Sequence, residues 1–256
     1  MAEIVCRSLD EAWLAAVQMA CHSRAREISP LSVTFDAAKD PESQGADLRA
    51  VMNELLQSTG RATVETVANT IFPNSLWNPS GDRQDLFRRY RKILPALRRH
   101  PQNRRRGLYF ERLIGYPSGD GKAGTNNQLD HIIETFARGN HRRSALQAAI
   151  FYPPADLNHA RQQGFPCLQQ VAFAHCQSGR ALTITAFYAM QYLFKRAYGN
   201  YLGLARLGEF MAHEMGLKLE RVVCFSAVAK LEVSVRQVEP LLSKFWPRRQ
   251  SGNGNS

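Results

Sequence analysis

Cys167 stands in the run Gly164-Phe165-Pro166-Cys167-Leu168-Gln169, where a polar loop gives way to the alternating segment Val171-Ala172-Phe173-Ala174-His175-Cys176. A thiol placed after a proline at a loop-to-strand junction is presented at a sheet edge or on a cleft floor. Two readings stand side by side. One is a nucleophile, whose reactive form is the thiolate and whose site must supply positive charge. The other is a small buried hydrophobe, a common fate of an unpaired cysteine. Two further groups have chemical potential. The pair Arg142-Arg143 offers planar guanidinium forks suited to phosphate, or else a solvated strand edge. The stretch 83–112 carries eleven Lys/Arg against Asp85 and Glu111, much of the chain's net charge of +11.

The elements that must position these groups follow from periodicity. Leu9–Ala20 reads as a helix with Trp13 and Val17 on one side, and Leu31–Phe35 as a strand. Leu48–Gln57 and Thr63–Phe72 read as helices, the second opened by Thr63 as a cap with Thr66 three residues on. In Leu86–Leu97, the residues Leu86, Tyr90, Leu94 and Leu97 share one face and the arginines take the other. Pro95 is expected to kink or end that helix. Thr125–Arg138 is predicted helical and Ala145–Tyr152 a strand. Leu168–Tyr188 forms a hairpin turning at Gln177-Ser178-Gly179. Tyr201–Met215 is a helix stopped by Gly216, Arg221–Val233 a strand and Val235–Phe245 a last helix. Together these specify an α+β protein, with residues 1–250 as one domain and 251–256 as a disordered tail. No internal repeat appears.

Composition removes several classes. No run of about eighteen apolar residues exists, so no membrane span is expected. Residues 1–23 lack the pattern of a secretory leader. The five cysteines (Cys6, Cys21, Cys167, Cys176 and Cys224) make no Cys-x-x-Cys pair, which argues for reduced thiols in a cytoplasmic protein and against a metal site. The basic stretch 83–112 is a solvated helix face or a phosphate-attracting surface for nucleotide, RNA or DNA. Tyr90 and Tyr109 are too sparse for an aromatic stacking platform.

The order of several blocks resembles the thymidylate synthase and pyrimidine hydroxymethylase family. Tyr109-Phe110-Glu111-Arg112-Leu113-Ile114-Gly115-Tyr116-Pro117 is similar to the family's Tyr-Gly…Trp-Arg…Trp-Pro segment. Asn127–Ile133 and then Arg142-Arg143 follow it. Pro166-Cys167 with Phe173 downstream resembles its Pro-Cys-His…Gln-Phe motif. Phe187–Glu232 aligns without a gap to its strand–Asn–helix–strand unit, which puts Asn200 on the family's asparagine. The resemblance covers about half the chain well and much of the N-terminal part weakly. It implies a mixed β-sheet packed with helices and a homodimer through the sheet face.

It also implies a reaction. Cys167 would attack C6 of a uracil-type pyrimidine nucleotide, and C5 would then take a one-carbon unit from 5,10-methylenetetrahydrofolate. Arg142 and Arg143 would reach the phosphate in the neighbouring subunit. Asn200 would read the pyrimidine edge, since an amide can meet both N3–H and O4; it would equally serve as an N-cap of Tyr201–Met215. Tyr109 would stand near cysteine and base. Glu54 would be the helix glutamate for proton transfer, Arg24 (or Arg26) the N-terminal phosphate arginine, and Lys230 a phosphate or sugar contact.

Departures from the family pattern are equally specific. Leu168 replaces the histidine after the cysteine, and Ala172 a glutamine five residues on. Ala189 replaces a phosphate-binding arginine, and Tyr192 replaces the aspartate that contacts the folate ring. Val228-Ala229-Lys230-Leu231-Glu232 stands where an Asp-x-His-x-Tyr run holds the ribose. Three readings result. The chain is an enzyme with altered ribose and folate recognition, methylating or hydroxymethylating. Alternatively it is a non-catalytic homologue that binds nucleotide or a partner, or a basic nucleic-acid-binding protein.

Overall fold

The computed structural model describes residues 1–37, 45–100, 103, 107–117, 126–157, 159, 166–176 and 180–246. Its architecture is a mixed β-sheet packed with helices. The sheet has six strands in the order β1-β3-β8-β6-β5-β4, formed by β1 Ala2–Cys6, β3 Leu31–Asp36, β4 Gln147–Ala149, β5 Leu168–His175, β6 Ala181–Tyr188 and β8 Lys218–Ser226. β1 runs parallel to β3 and β6 parallel to β8, while the remaining neighbours are antiparallel. A second, three-stranded sheet joins β2 Glu27–Ile28, β9 Ala229–Lys230 and β7 Gln191–Tyr192 in the order β2-β9-β7.

Most predicted elements appear close to their expected bounds. The helices are α1 Leu9–His22, α2 Ala46–Ser58, α3 Val64–Ile71, α4 Arg83–Leu97, α5 Tyr109–Ile114, α6 Gln128–Ala137, α7 Pro153–Asp156, α8 Tyr198–Glu214 and α9 Val235–Phe245. Thr63 does cap α3, its hydroxyl accepting from the Thr66 N–H at 3.2 Å. α8 does end before Gly216, which holds φ +65°. Such a φ strains any residue with a Cβ, and glycine is the usual solution.

Three expectations need correction. Ala145–Tyr152 is a strand only over Gln147–Ala149, because a 3₁₀ turn at Arg143–Ala145 precedes it and Pro153-Pro154 open α7. Arg221–Val233 is not one strand. β8 stops at Ser226 and the chain re-enters the small sheet at Ala229. Pro95 does not end α4, which runs on to Leu97. Pro95 has no N–H to give the carbonyl of Arg91, so one helical hydrogen bond is forgone there while the helix continues two residues further. The turn at 177–179 and the tail 251–256 lie outside the described residues.

α8 is the organising element. From Tyr198 to Ala212 every residue but Glu209 is buried, the polar Asn200 and Arg206 among them, so the helix lies in the core. It packs between α3 on one side and strands β6 and β8 on the other. Small residues permit this approach. A Cβ on Gly203 would stand 2.7 Å from the Ala68 carbonyl oxygen, and one on Gly199 would stand 2.6 Å from the Val67 Cβ. Phe210 packs with Phe72, Trp77 and Phe87 at ring separations of 5.3–6.1 Å. On the opposite side of the sheet, alternate side chains point outward and stay accessible. Val5 is 69% exposed, and Phe187 stacks on Phe225 at 5.7 Å.

Candidate functional site

A cleft of about 280 Å³ opens where α3, the segment Gly107–Tyr109, the start of β5 and the entrance to α8 meet. Cys167, Tyr109, Asn200, Tyr192, Lys195 and Arg196 are among its lining residues. Each reaches it for a local reason. Cys167 is exposed one residue before β5, and its carbonyl accepts the Ala189 N–H at 2.9 Å, which fixes the loop end against the end of β6. Tyr109 is the first residue of α5. Gly107, at φ +66°, turns the chain into that helix, and the Glu111 carboxylate accepts the Leu108 N–H at 3.3 Å. Backbone groups of Leu168 and Cys167 hydrogen-bond to the Tyr109 phenol oxygen, so phenol and thiol share one corner. Burial first, then the Cys167 charge, push the Tyr109 phenol up to about 12. Tyr109 is therefore neutral at ordinary pH and able to donate.

Asn200 lies in the first turn of α8, not at an N-cap. The helix begins at Tyr198 and enters from a π-turn at Leu193–Ala197, so the capping alternative for Asn200 is corrected. The side chain is 4% exposed and faces the cleft, and among the described residues no hydrogen bond engages its amide. From this position on the cleft wall the amide can offer a ligand both an N–H donor and a carbonyl acceptor.

The π-turn decides which side chains face the cleft. Such one-turn widenings recur at functional sites. Here the turn is held from three sides. Buried Trp13 donates Nε1–H to the Leu193 carbonyl at 2.8 Å. The Glu232 carboxylate accepts the backbone N–H groups of Lys195 at 2.8 Å and Phe194 at 3.3 Å. The Tyr198 hydroxyl donates to Asp10 at 2.6 Å. Lys195 and Arg196 are thereby turned to the cleft. The Lys195 ammonium sits over the Tyr192 ring, 3.9 Å from its centroid, a cation–π contact. Burial lowers the Lys195 pKa, Glu232 opposes this, and Arg61 and Arg196 add to it.

Beneath the cleft lies a polar pocket. Gln191 is 2% exposed, and its amide oxygen accepts from the Ser226 hydroxyl at 3.3 Å. The hydroxyls of Tyr188 and Tyr201 are buried with no partner among the described residues. Burial holds both phenols well above their ordinary pKa; for Tyr188 the neighbouring Cys224, Tyr109 and Cys167 add to the rise.

The structure thus brings together three of the sequence-predicted site residues, Cys167, Tyr109 and Asn200, from separate parts of the chain. Other candidates stand apart. Glu54 is exposed on α2 and does not line the cleft. Arg24 is exposed in a 3₁₀ turn ahead of β2. Lys230 flanks the cleft without lining it: it pairs in register with Tyr192 on β7, and its ammonium lies 3.8 Å from Glu27. Arg142 and Arg143 are exposed before the edge strand β4, where Arg143 donates to the His175 carbonyl at 2.6 Å. Within one chain neither arginine lines the cleft.

Lys195 and Arg196 were not anticipated, although the dipeptide stands four and five residues before Asn200. The signal is obscured because a π-turn breaks the 3.6-residue period.

The basic helix α4 is partly neutralised. Arg83 bonds Asp130 at 2.7 Å, Arg88 pairs with Asp85 and the C-cap residue Arg98 with Glu111, while in α5 Arg112 donates to Asp156 at 2.8 Å. Arg89, Arg91, Lys92 and Arg99 are exposed. Residues 104–106 lie outside the described residues.

Among the described residues, no helix is long and apolar enough to cross a membrane, and no group of three His/Cys/Asp/Glu could hold a metal. The described lining of the cleft includes no carboxylate. It therefore does not fit the pterin of methylenetetrahydrofolate, whose ring N–H groups call for an acceptor charge. A scan against protein-family models and a search of curated proteins return no match.

Proposed function

We propose that the cleft is the active site of a thymidylate synthase-like enzyme that forms a covalent adduct with a uracil-type pyrimidine nucleotide and modifies C5 with a one-carbon unit. Cys167 Sγ bonds to C6, and the C5=C6 electron pair moves toward C5 and O4 as an enolate. A formaldehyde-level one-carbon electrophile then bonds to C5, its π pair moving to oxygen, which takes a proton from solvent. The C5 proton leaves to solvent, and its bonding pair restores C5=C6 as Sγ departs as thiolate. This gives a 5-hydroxymethyl base, whereas a methyl product would need a hydride donor in addition. Asn200 would face N3–H and O4, where a fixed donor stabilises charge that develops in the adduct. Tyr109, held protonated beside the thiol, is a second donor to the base. In this reading two chains pair across the open sheet face, with Val5, Phe187 and Phe225 at the interface. The Arg142-Arg143 pair of one protomer then serves the other's cleft.

The observation that carries this reading is the convergence of Tyr109, Cys167 and Asn200 on one small cleft, from positions 58 and 33 residues apart in sequence. The test is site-specific alkylation in a Cys176→Ser background, because Cys176 is the other exposed thiol. Iodoacetamide should label Cys167, and deoxyuridylate should slow that labelling far more than deoxycytidylate does. Labelling that no pyrimidine nucleotide slows would remove the assignment.

A second reading is favoured by α4. Its exposed Arg89, Arg91 and Lys92, with Arg99 just after the helix, form a surface that attracts nucleic acid. Binding of RNA or DNA that weakens steeply with salt, with no protection of Cys167, would support it.

A further inference from the structure

The cleft holds more positive charge than the resemblance accounts for. The strand-end position expected to carry a phosphate arginine is Ala189. Arg24, Arg142 and Arg143 do not line the cleft within the chain. Instead two cations enter from the π-turn. Lys195 and Arg196 are half-buried side chains on the wall that also bears Cys167 and Asn200. Neither has an ion-pair partner among the described residues.

The surroundings show why these charges stay available. Glu232 is the nearby carboxylate, with a side chain only 9% exposed. Its oxygens are occupied by the backbone N–H groups of Phe194 and Lys195 and by Arg61 at 3.4 Å. It therefore braces the turn that presents the two cations and leaves the Lys195 ammonium on the Tyr192 ring. Lys195 thus feels two neighbouring cations, Arg61 and Arg196, against the one carboxylate of Glu232, and both Lys195 and Arg196 stand on the cleft wall. Like charges gathered in a partly desolvated site are unfavourable unless an anion joins them.

We propose that Lys195 and Arg196 form an anion subsite within the chain's own cleft, which takes the phosphate monoester of the substrate and places its base against Asn200 and Cys167. This inference rests on the reading of the cleft as a nucleotide site. It names the residues that do, from the π-turn, what Ala189 cannot. The guanidinium of Arg196 offers two parallel N–H donors to phosphate oxygens, and Lys195 adds a point charge. The same pair also supplies positive charge near the thiol, as a reactive cysteine requires.

The experiment uses the full chain carrying Cys176→Ser and follows iodoacetamide labelling of Cys167 at fixed pH. Protection by deoxyuridine 5′-phosphate is compared with protection by deoxyuridine, with inorganic phosphate and succinate as further probes. The nucleotide should protect at concentrations at least tenfold below the nucleoside, and phosphate should compete where succinate does not. Arg196→Ala should erase the tenfold difference, read within that variant as the ratio of nucleotide to nucleoside protection against its own unprotected labelling rate. Lys195→Met should reduce it, and Arg196→Lys should restore part of it. Equal protection by nucleotide and nucleoside in the unsubstituted protein overturns the proposal. So does an Arg196→Ala protein that keeps the tenfold preference, or protection by succinate but not phosphate. If Cys167 resists labelling altogether, the nucleophile assignment fails separately. Thermal stabilisation by inorganic phosphate, present in the parent and lost in Arg196→Ala, then decides the subsite alone.

Discussion

Two cationic regions of this molecule differ in a way that separates charge from function. α4 and the residues just after it hold many cations, yet Arg83, Arg88 and Arg98 are spent on Asp130, Asp85 and Glu111, and the described remainder, Arg89, Arg91, Lys92 and Arg99, point into solvent. The π-turn before α8 holds two adjacent cations only, Lys195 and Arg196. Both are half-buried, without carboxylate partners among the described residues, and directed at one cleft. Exposed charges act through a screened, high-dielectric medium and contribute little each. A pair at a cleft wall acts at shorter range and lower dielectric. The number of arginines therefore points to α4, while their placement points to the π-turn.

The largest expected break in that contrast is Cys167→Ser. A hydroxyl is far less acidic than a thiol, so adduct formation should fall by orders of magnitude. Release of tritium from C5-labelled deoxyuridylate measures it, and any signal from the parent should vanish. With methylenetetrahydrofolate even the parent is expected to turn over poorly, because the described lining of the cleft offers the pterin no carboxylate. Robust formation of thymidylate would refute the altered-site reading.

Asn200→Asp comes next. A carboxylate accepts but does not donate, so it should favour the exocyclic amine of cytosine over uracil O4. Discrimination of about 1–3 kcal/mol is the usual scale for one well-placed polar pair. Calorimetry with deoxyuridylate and deoxycytidylate should show the preference reversing. An unchanged preference would mean that Asn200 does not read the base.

Two stability tests probe the scaffold behind the cleft. Gly203→Val should cost about 1–3 kcal/mol, because its Cβ has no room against the Ala68 carbonyl. In a chain of this size that lowers Tm by about 2–4 °C per kcal/mol. Alkaline pH should act through the polar pocket. Burial pushes the Cys224 thiol up to about 12, so the folded chain keeps a proton that the unfolded chain gives up above about 9. Stability is thus complete below about pH 9 and declines as pH rises toward 12, by about 1.4 kcal/mol per pH unit for one such group. Cys224→Ala should flatten that decline in denaturant titrations, though the buried phenols Tyr188 and Tyr201 will leave part of it.

The scaffold was largely legible in the sequence and the site only in part. Thr63 as a cap, Gly216 as a stop and the alternation of β5 and β6 are local signals, and local geometry obeys them. Tyr109, Cys167 and Asn200 could be named because each lies in a block with its own pattern. Lys195 and Arg196 could not, because a turn widened by one residue is held by Trp13 and Glu232, which are distant in sequence. The small sheet that carries Tyr192 and Lys230 was hidden for the same reason. Its strands are two residues long, and such pairs have no period to read.

The smallest expected effect sharpens the comparison most. Replacing Arg89, Arg91 and Lys92 together by Ala removes three exposed charges from α4 and touches no lining residue of the cleft. Exposed substitutions of this kind usually change stability by less than about 0.5 kcal/mol each. Protection of Cys167 by deoxyuridylate should be unchanged within about a factor of two, the limit set by weak long-range screening at moderate salt. If α4 instead meets phosphate backbones, the triple variant should lose RNA or DNA affinity whatever the sequence. Its log-affinity against log-salt slope should then shallow by about 0.7–0.9 for each phosphate contact removed. A variant that loses mononucleotide protection while its salt slope stays fixed would reverse the contrast and place the anion subsite on α4.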